Sequence, residues 1–247
     1  MRKAGIFFIL IFMYLHAEAQ VEFYNSGSIK YERKTNAYRL AEGSWLHKFY
    51  EKNKFINDTF TLEFDSIKSI YHFPGFEEDA SEGMGFSFNM APDKSNLVYK
   101  NLAGDSFVAN RQLFDSRITI TDSIRKPDWK ITGETREIAG FLCHKAVGIL
   151  YDSMYVVAFY TDQILPQNGP ETFGGLPGMI MGLAIPRLYT TWMAISFEPG
   201  NPEILKPKFS KKKKESFNWS TYNKSVSEQF SDWGEPYKTL LVWMWSI

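Results

Sequence analysis

Alternation of apolar and polar side chains governs most of this chain. Phe60, Leu62 and Phe64 face one way while Thr59, Thr61 and Glu63 face the other, and a second run from Ile67 to Phe73 ends at Pro74-Gly75. These two segments predict a strand pair with a tight link. An earlier strand is expected over Ser28 to Lys34, and later ones over Leu97 to Leu102, Ser106 to Ala109, Arg117 to Ile124, Asp128 to Thr132 and Phe141 to Leu150. Met154 to Thr161 is apolar on both faces, which predicts a strand in the middle of the sheet. Tyr189 to Phe197 keeps the clearest period of two. Helical spacing is rarer. Ser44 could cap a turn starting at Trp45, with Leu46, Phe49 and Tyr50 on one face, and Tyr222, Val226 and Phe230 predict an amphipathic helix over Thr221 to Ser231. Leu240 to Ile247 reads as a Trp-rich strand. The fold class expected is mainly β, α+β at most: a curved antiparallel sheet or half-open barrel with a few short helices.

The N-terminus follows another rule. Arg2 and Lys3 precede an apolar run from Ala4 to Leu15 and the small-residue box Ala17-Glu18-Ala19, the three parts of a cleavable signal peptide over residues 1–19. About a dozen apolar residues is short of the roughly 20 that span a bilayer, so the mature chain is expected to start at Gln20, without a transmembrane span. No cysteine follows the apolar run to carry a lipid. Residues 20–247 then form one β-rich domain, with a long loop over 74–96 read as a lid or a solvated insertion. A second irregular region, over 199–231, holds a loop, the basic run Lys211 to Lys214 and the amphipathic helix.

Composition changes the picture in three ways. Seventeen per cent aromatic residues suit half-buried strands. Charge is balanced at 28 basic and 28 acidic residues, which argues against nucleic-acid binding, where excess Lys and Arg must face phosphates. Cys143 is the only cysteine, so no intramolecular disulfide can brace the fold.

The most unusual stretch runs from Gly169 to Ile180. Its glycines and prolines exclude a helix or an ordinary central strand, while Leu176, Met179, Ile180 and Met181 can anchor the turn in a core. A rigid, buried connection is expected. The segment Gly175-Leu176-Pro177-Gly178-Met179-Ile180 resembles the motif for which the GLPGLI family of exported proteins of diderm bacteria is named. The resemblance extends over Asp128-Trp129-Lys130-Ile131, Ile138 to Ala146, Phe159-Tyr160-Thr161, Ile164-Leu165-Pro166 and Gly169-Pro170, about a quarter of the chain. Met179 replaces the motif's Leu, and Phe159 stands where many members carry Trp. The resemblance implies an exported protein without an assigned activity, often encoded beside TonB-dependent outer-membrane receptors. A fold-level similarity to the half-open barrels of lipoprotein-sorting proteins is associational. Candidate binding positions fall in this stretch: Trp129, Tyr160, Pro166, Gly169 and Pro170, then Phe173, Gly174, Gly175, Leu176, Pro177 and Gly178.

Recognisable chemistry is sparse. G-x-S-x-G, P-loop, H-E-x-x-H and EF-hand patterns are missing from the sequence. Neighbours on a strand point to opposite faces, so Cys143 and His144 are poorly placed as nucleophile and base, and Cys143 reads as a buried thiol. No catalytic residue, cofactor or metal ligand is assigned. Asp65-Ser66-Ile67, Asp122-Ser123-Ile124 and Asp152-Ser153-Met154 resemble an O-glycosylation pattern of some exported bacterial proteins. The leading expectation is a periplasmic binding or accessory module, at the periplasmic face of the outer membrane or free in the periplasm. Its client would be a hydrophobic ligand or an outer-membrane protein such as a TonB-dependent receptor, held by a sheet curved around an apolar interior with the Gly174 to Gly178 turn at its rim. Two rivals are an envelope hydrolase using Asp162 and Glu171, and a structural subunit pairing through Trp243 to Ile247.

Overall fold

The computed structural model describes residues 22–74, 96–113, 116–151, 153–209, 216–235 and 237–247. The expected signal peptide, most of the 74–96 loop and the basic run at 211–214 lie outside them.

Twelve strands make one open sheet. The first meander comprises β1 (Gly27–Asn36), β2 (Phe55–Phe64), β3 (Lys68–His72), β4 (Leu97–Asn101), β5 (Ser106–Leu113) and β6 (Ser116–Ser123). The second comprises β7 (Lys130–Ile138), β8 (Phe141–Leu150), β9 (Met154–Thr161), β10 (Met179–Ile185) and β11 (Thr190–Pro199). In space the order is β12-β6-β5-β4-β3-β2-β1-β11-β10-β9-β8-β7, so the meanders join where β1 pairs with β11. All pairings are antiparallel except that of the two-residue β12 (Ser216–Phe217) with β6.

Topology forces the sheet to roll. Ten strand spacings separate β6 from β7, about 48 Å if flat. The connection over residues 124–129 reaches at most about 25 Å. The edges must therefore approach each other, which gives the sheet an inner face. On that face lie Ile29 and Tyr31 of β1, Phe60, Leu62 and Phe64 of β2, and Val98, Phe107 and Ala109 of β4 and β5, all buried. The β2–β3 link is as tight as expected, because Asp65 Oδ1 accepts from Ile67 N at 2.7 Å and Lys68 N at 2.8 Å.

Short helices close the ends. α1 (Ala37–Leu40) is capped by Asn36, whose side chain accepts from Arg39 N. α2 (Trp219–Gln229) starts with an Asn218–Thr221 capping box and buries Tyr222 and Val226 as its spacing requires. α3 (Tyr237–Trp245) follows.

Several expectations are corrected. Leu240 to Ile247 is largely helical, not a strand: Leu241 and Met244, three residues apart, turn inward, and Ile247 is buried behind them. The edge that a pairing subunit would use is therefore not there. β9 lies third from the β7 edge. Met154, Val156, Ala158 and Tyr160 are buried along it, with Thr161 at its end, while Tyr155 on the other face is exposed. The Trp45–Tyr50 turn is 3-10, so Leu46 is buried but Phe49 is exposed, and Ser44 Oγ bonds to Ala41 O instead of capping it. β7 runs on to Ile138, past the expected end, because an edge strand exposed along most of its length shows no alternation to read.

Candidate functional site

Three basic side chains enter the inner face in phase with its apolar positions, Arg33 two residues after Tyr31, Lys100 two after Val98 and Arg111 two after Ala109, and Arg125, next to Ile124 beyond the end of β6, is buried as well. Asp58, two before Phe60, joins them. Buried charges persist only when paired or hydrogen-bonded. Many of their partners come from residues 164–178, which fold back into the roll between β9 and β10; others are Asp58, which meets Arg33, and the C-terminal carbonyls of Ser246 and Ile247, which accept from Arg125 and Arg111.

Glu171 is the centre of that segment. Fully buried, it lies with Oε2 3.3 Å from Arg111 Nη2 and Oε1 3.9 Å from Arg33 Nη1, and Arg33 Nη2 also contacts Asp58 Oδ2 at 2.9 Å. Its backbone sits at φ +51°, a left-handed conformation that a non-glycine residue holds only when its surroundings fix it. Lys100 Nζ donates to Asn168 Oδ1 at 2.8 Å, Gly169 O at 2.7 Å and Phe173 O at 2.8 Å. Burial pushes its ammonium down to about 7, opposed by the charge of Glu171. Three oxygen acceptors suit the three N–H donors of the charged form. Arg125 fastens the other flank. Its N–H donates to Thr172 O at 2.9 Å, its carbonyl accepts from Gly174 N at 3.0 Å, and its guanidinium reaches Ser246 O at 2.9 Å and stacks 4.2 Å above the Trp219 ring.

The candidate binding positions are thus brought together, chiefly as parts of this internal plug. Trp129 Nε1 donates to Gly174 O at 3.0 Å. Tyr160, Pro166, Gly169, Pro170, Phe173, Gly174, Leu176 and Gly178 are buried, Gly175 is half-buried, and Pro177 is exposed. Gly178 is indispensable sterically: at φ +138° a β-carbon there would overlap Thr161 O. The interior is apolar over most of its surface, with this cluster of buried charges set into it and the 164–178 segment of the chain itself packed against them. The burial of this segment is legible in its glycines and prolines, whereas Arg33, Lys100 and Arg111 are signalled only by their phase with the apolar residues of their strands.

The two proposed hydrolase acids do not share a setting, since Asp162 is exposed while Glu171 is fully buried among arginines. Cys143 is fully buried, and burial pushes its thiol up to about 12; His144 lies instead beside the Tyr160 ring. Ser66, Ser123 and Ser153 are exposed where strands end. Among the described residues no group of three His, Cys, Asp or Glu gathers as a metal site, and no helix is long and apolar enough to cross a membrane.

A second concavity escaped the sequence reading. A cleft of about 500 Å³ lies between α1, the 3-10 turn Pro186–Leu188 and α3, lined among others by Arg39, Arg187, Tyr189, Leu240 and Trp243. Its walls are fixed by Asn36 N donating to Tyr189 O at 2.9 Å and by the Thr35–Thr190 hydroxyl pair at 3.0 Å. Tyr189 itself is held at φ 47°, ψ 33°, with its ring exposed.

Comparison with known proteins matches this geometry to a segment and a fold. A family model described as a protein of unknown function (Porph_ging) matches residues 149–182, which run from the end of β8 through β9 and the plug into β10. No curated protein matches the chain. The structure of PNGF-II in the P21 space group superposes with a TM-score of 0.53 at 15% identity, over 81% of this chain and 32% of that one. The C2 form gives 0.51 and 16%, over 78% and 30%. The chain thus spans about a third of the length of PNGF-II, and at such identities the likeness is one of fold: a rolled sheet of this kind, carrying a segment found in a family of unknown function.

Proposed function

We propose that the chain is an exported binding or accessory protein of the cell envelope, of the GLPGLI type, and that it binds through the cleft between α1, the 186–188 turn and α3. One observation carries this reading: the inner face of the sheet is occupied by the chain's own plug, which Lys100 ties down through three hydrogen bonds, whereas the cleft is concave and lined by aromatic, aliphatic and charged side chains. The rolled sheet is then a rigid support, with Lys100, Glu171 and Arg125 holding the plug that braces it. Export to the periplasm, or to the periplasmic face of the outer membrane, rests on residues 1–19. A TonB-dependent receptor or a hydrophobic ligand is the client that the family resemblance favours.

The test is affinity capture from detergent-solubilised outer envelope, comparing the wild-type chain with Trp243→Ala. Enrichment of one receptor or one lipid class by the wild type, lost in the variant, supports the reading. Identical capture by both chains, or enrichment by neither, contradicts it.

A further inference from the structure

We infer that the cleft takes an anionic amphiphile, its carboxylate or phosphate head between Arg39 and Arg187 and its aliphatic chain along Leu240 and Trp243; this rests on the cleft being the binding surface. The charges are the first ground. Arg39 and Arg187 are exposed at the cleft, and among the described residues neither guanidinium has a side-chain hydrogen bond or ion pair. Glu235, also in the lining, is engaged by Thr239 Oγ1 at 2.7 Å and Thr239 N at 3.4 Å. With Glu42 the lining holds two carboxylates against two arginines and is formally balanced, so the preference for a negative head rests on the two unengaged guanidiniums and not on net charge. Planar guanidiniums bind carboxylate or phosphate through paired N–H donors, which a neutral head cannot match.

The second ground is the apolar wall. Leu240 and Trp243, three residues apart on α3, share one helix face, and both are half-buried at the cleft. Leu40 closes the floor and Tyr189 flanks the mouth. A volume of about 500 Å³ falls within the range of small-molecule sites. The fixed positions of α1 and the 186–188 turn mean that both arginines project from a rigid rim.

Isothermal titration of the full chain with dodecanoate, dodecyl phosphate, dodecyl maltoside and dodecyltrimethylammonium, each below its critical micelle concentration, tests the assignment. The two anions are expected to bind at least roughly tenfold more tightly than the neutral and cationic chains. Their ratio tells carboxylate from phosphate. The double variant R39Q/R187Q, altered only at exposed positions, should lose that preference, with its fold checked by circular dichroism. Raising the salt concentration should weaken the anions selectively. Equal binding of dodecyl maltoside and dodecanoate, or an anion affinity within twofold of wild type in R39Q/R187Q, would overturn the ligand class. Failure of all four chains to bind does so too. Because envelope capture by wild type and Trp243→Ala needs no amphiphile, the cleft can survive as a protein-docking surface while this assignment fails.

Discussion

Replacing Glu171 by Gln asks how firmly the plug is held. The amide keeps the size of the carboxylate but removes the negative charge from between Arg111 Nη2, at 3.3 Å, and Arg33 Nη1, at 3.9 Å. A charge pair at such a separation is worth about 4 kcal/mol at an effective dielectric near 20. Two contacts give a gross loss of roughly twice that. Relief of the carboxylate's own burial penalty offsets several kcal/mol, and the arginines left behind remain buried. A net loss of about 3–5 kcal/mol follows, the range found when one partner of a buried pair is removed. The assay is urea unfolding at pH 7, followed by far-UV circular dichroism and tryptophan fluorescence. A loss below about 1 kcal/mol would mean that the ionic contacts do not fasten the plug, and the reasoning would be refuted. The variant has a second consequence. Glu171 is the charge that raises the Lys100 ammonium against desolvation, so Glu171→Gln should lower the pH at which Lys100 titrates.

Lys100 supplies a pH dependence of definite sign. Its ordinary value is 10.5 and burial brings it to about 7, so between those limits the unfolded chain holds the proton and the native chain does not. Stability attributable to this group therefore rises from pH 7 towards 10.5, by up to about 1.4 kcal/mol per unit, and is lost as pH falls back to 7. Thermal unfolding of wild type and Lys100→Met across pH 7–10 measures it; parallel curves would sink the idea. Gly178→Ala sets a β-carbon against Thr161 O and should cost roughly 3 kcal/mol in chemical unfolding; an unchanged midpoint would show that the turn can relax. The buried thiol of Cys143, raised to about 12, should resist Ellman's reagent at pH 8 until the protein is denatured, and rapid labelling of the native chain would contradict its placement.

How much of this could be read beforehand depends on which force acts on each residue. Where one face of a strand meets the core and the other meets water, as in Phe60-Leu62-Phe64, alternation is complete and the strand is legible. The same holds for α2, whose Tyr222 and Val226 both turn inward. Where both faces meet water, as in β7, the pattern vanishes. The Leu240 to Ile247 run is apolar in both periods, and its helix shows only in which residues are buried. Glycine and proline made the plug legible, because few conformations allow so many of them together. Its ionic partners were hidden by distance: Lys100 and Phe173 are 73 residues apart, and nothing local to either announces the other. The cleft was hidden likewise, since Arg39, Arg187 and Trp243 come from three separated segments.

The plug as an integral part of the core is the claim on which the assignment of binding to the cleft depends. Hydrogen–deuterium exchange of the intact protein tests it most directly, at the amides of Phe173, Gly174 and Ile180, bonded to Pro170 O, Arg125 O and Asn168 O. Exchange at the rate of global unfolding, alongside β1 and β2, is the expected result. Exchange of these amides within seconds, while β1 and β2 stay protected, would show a segment that leaves the roll and opens the inner face to a client.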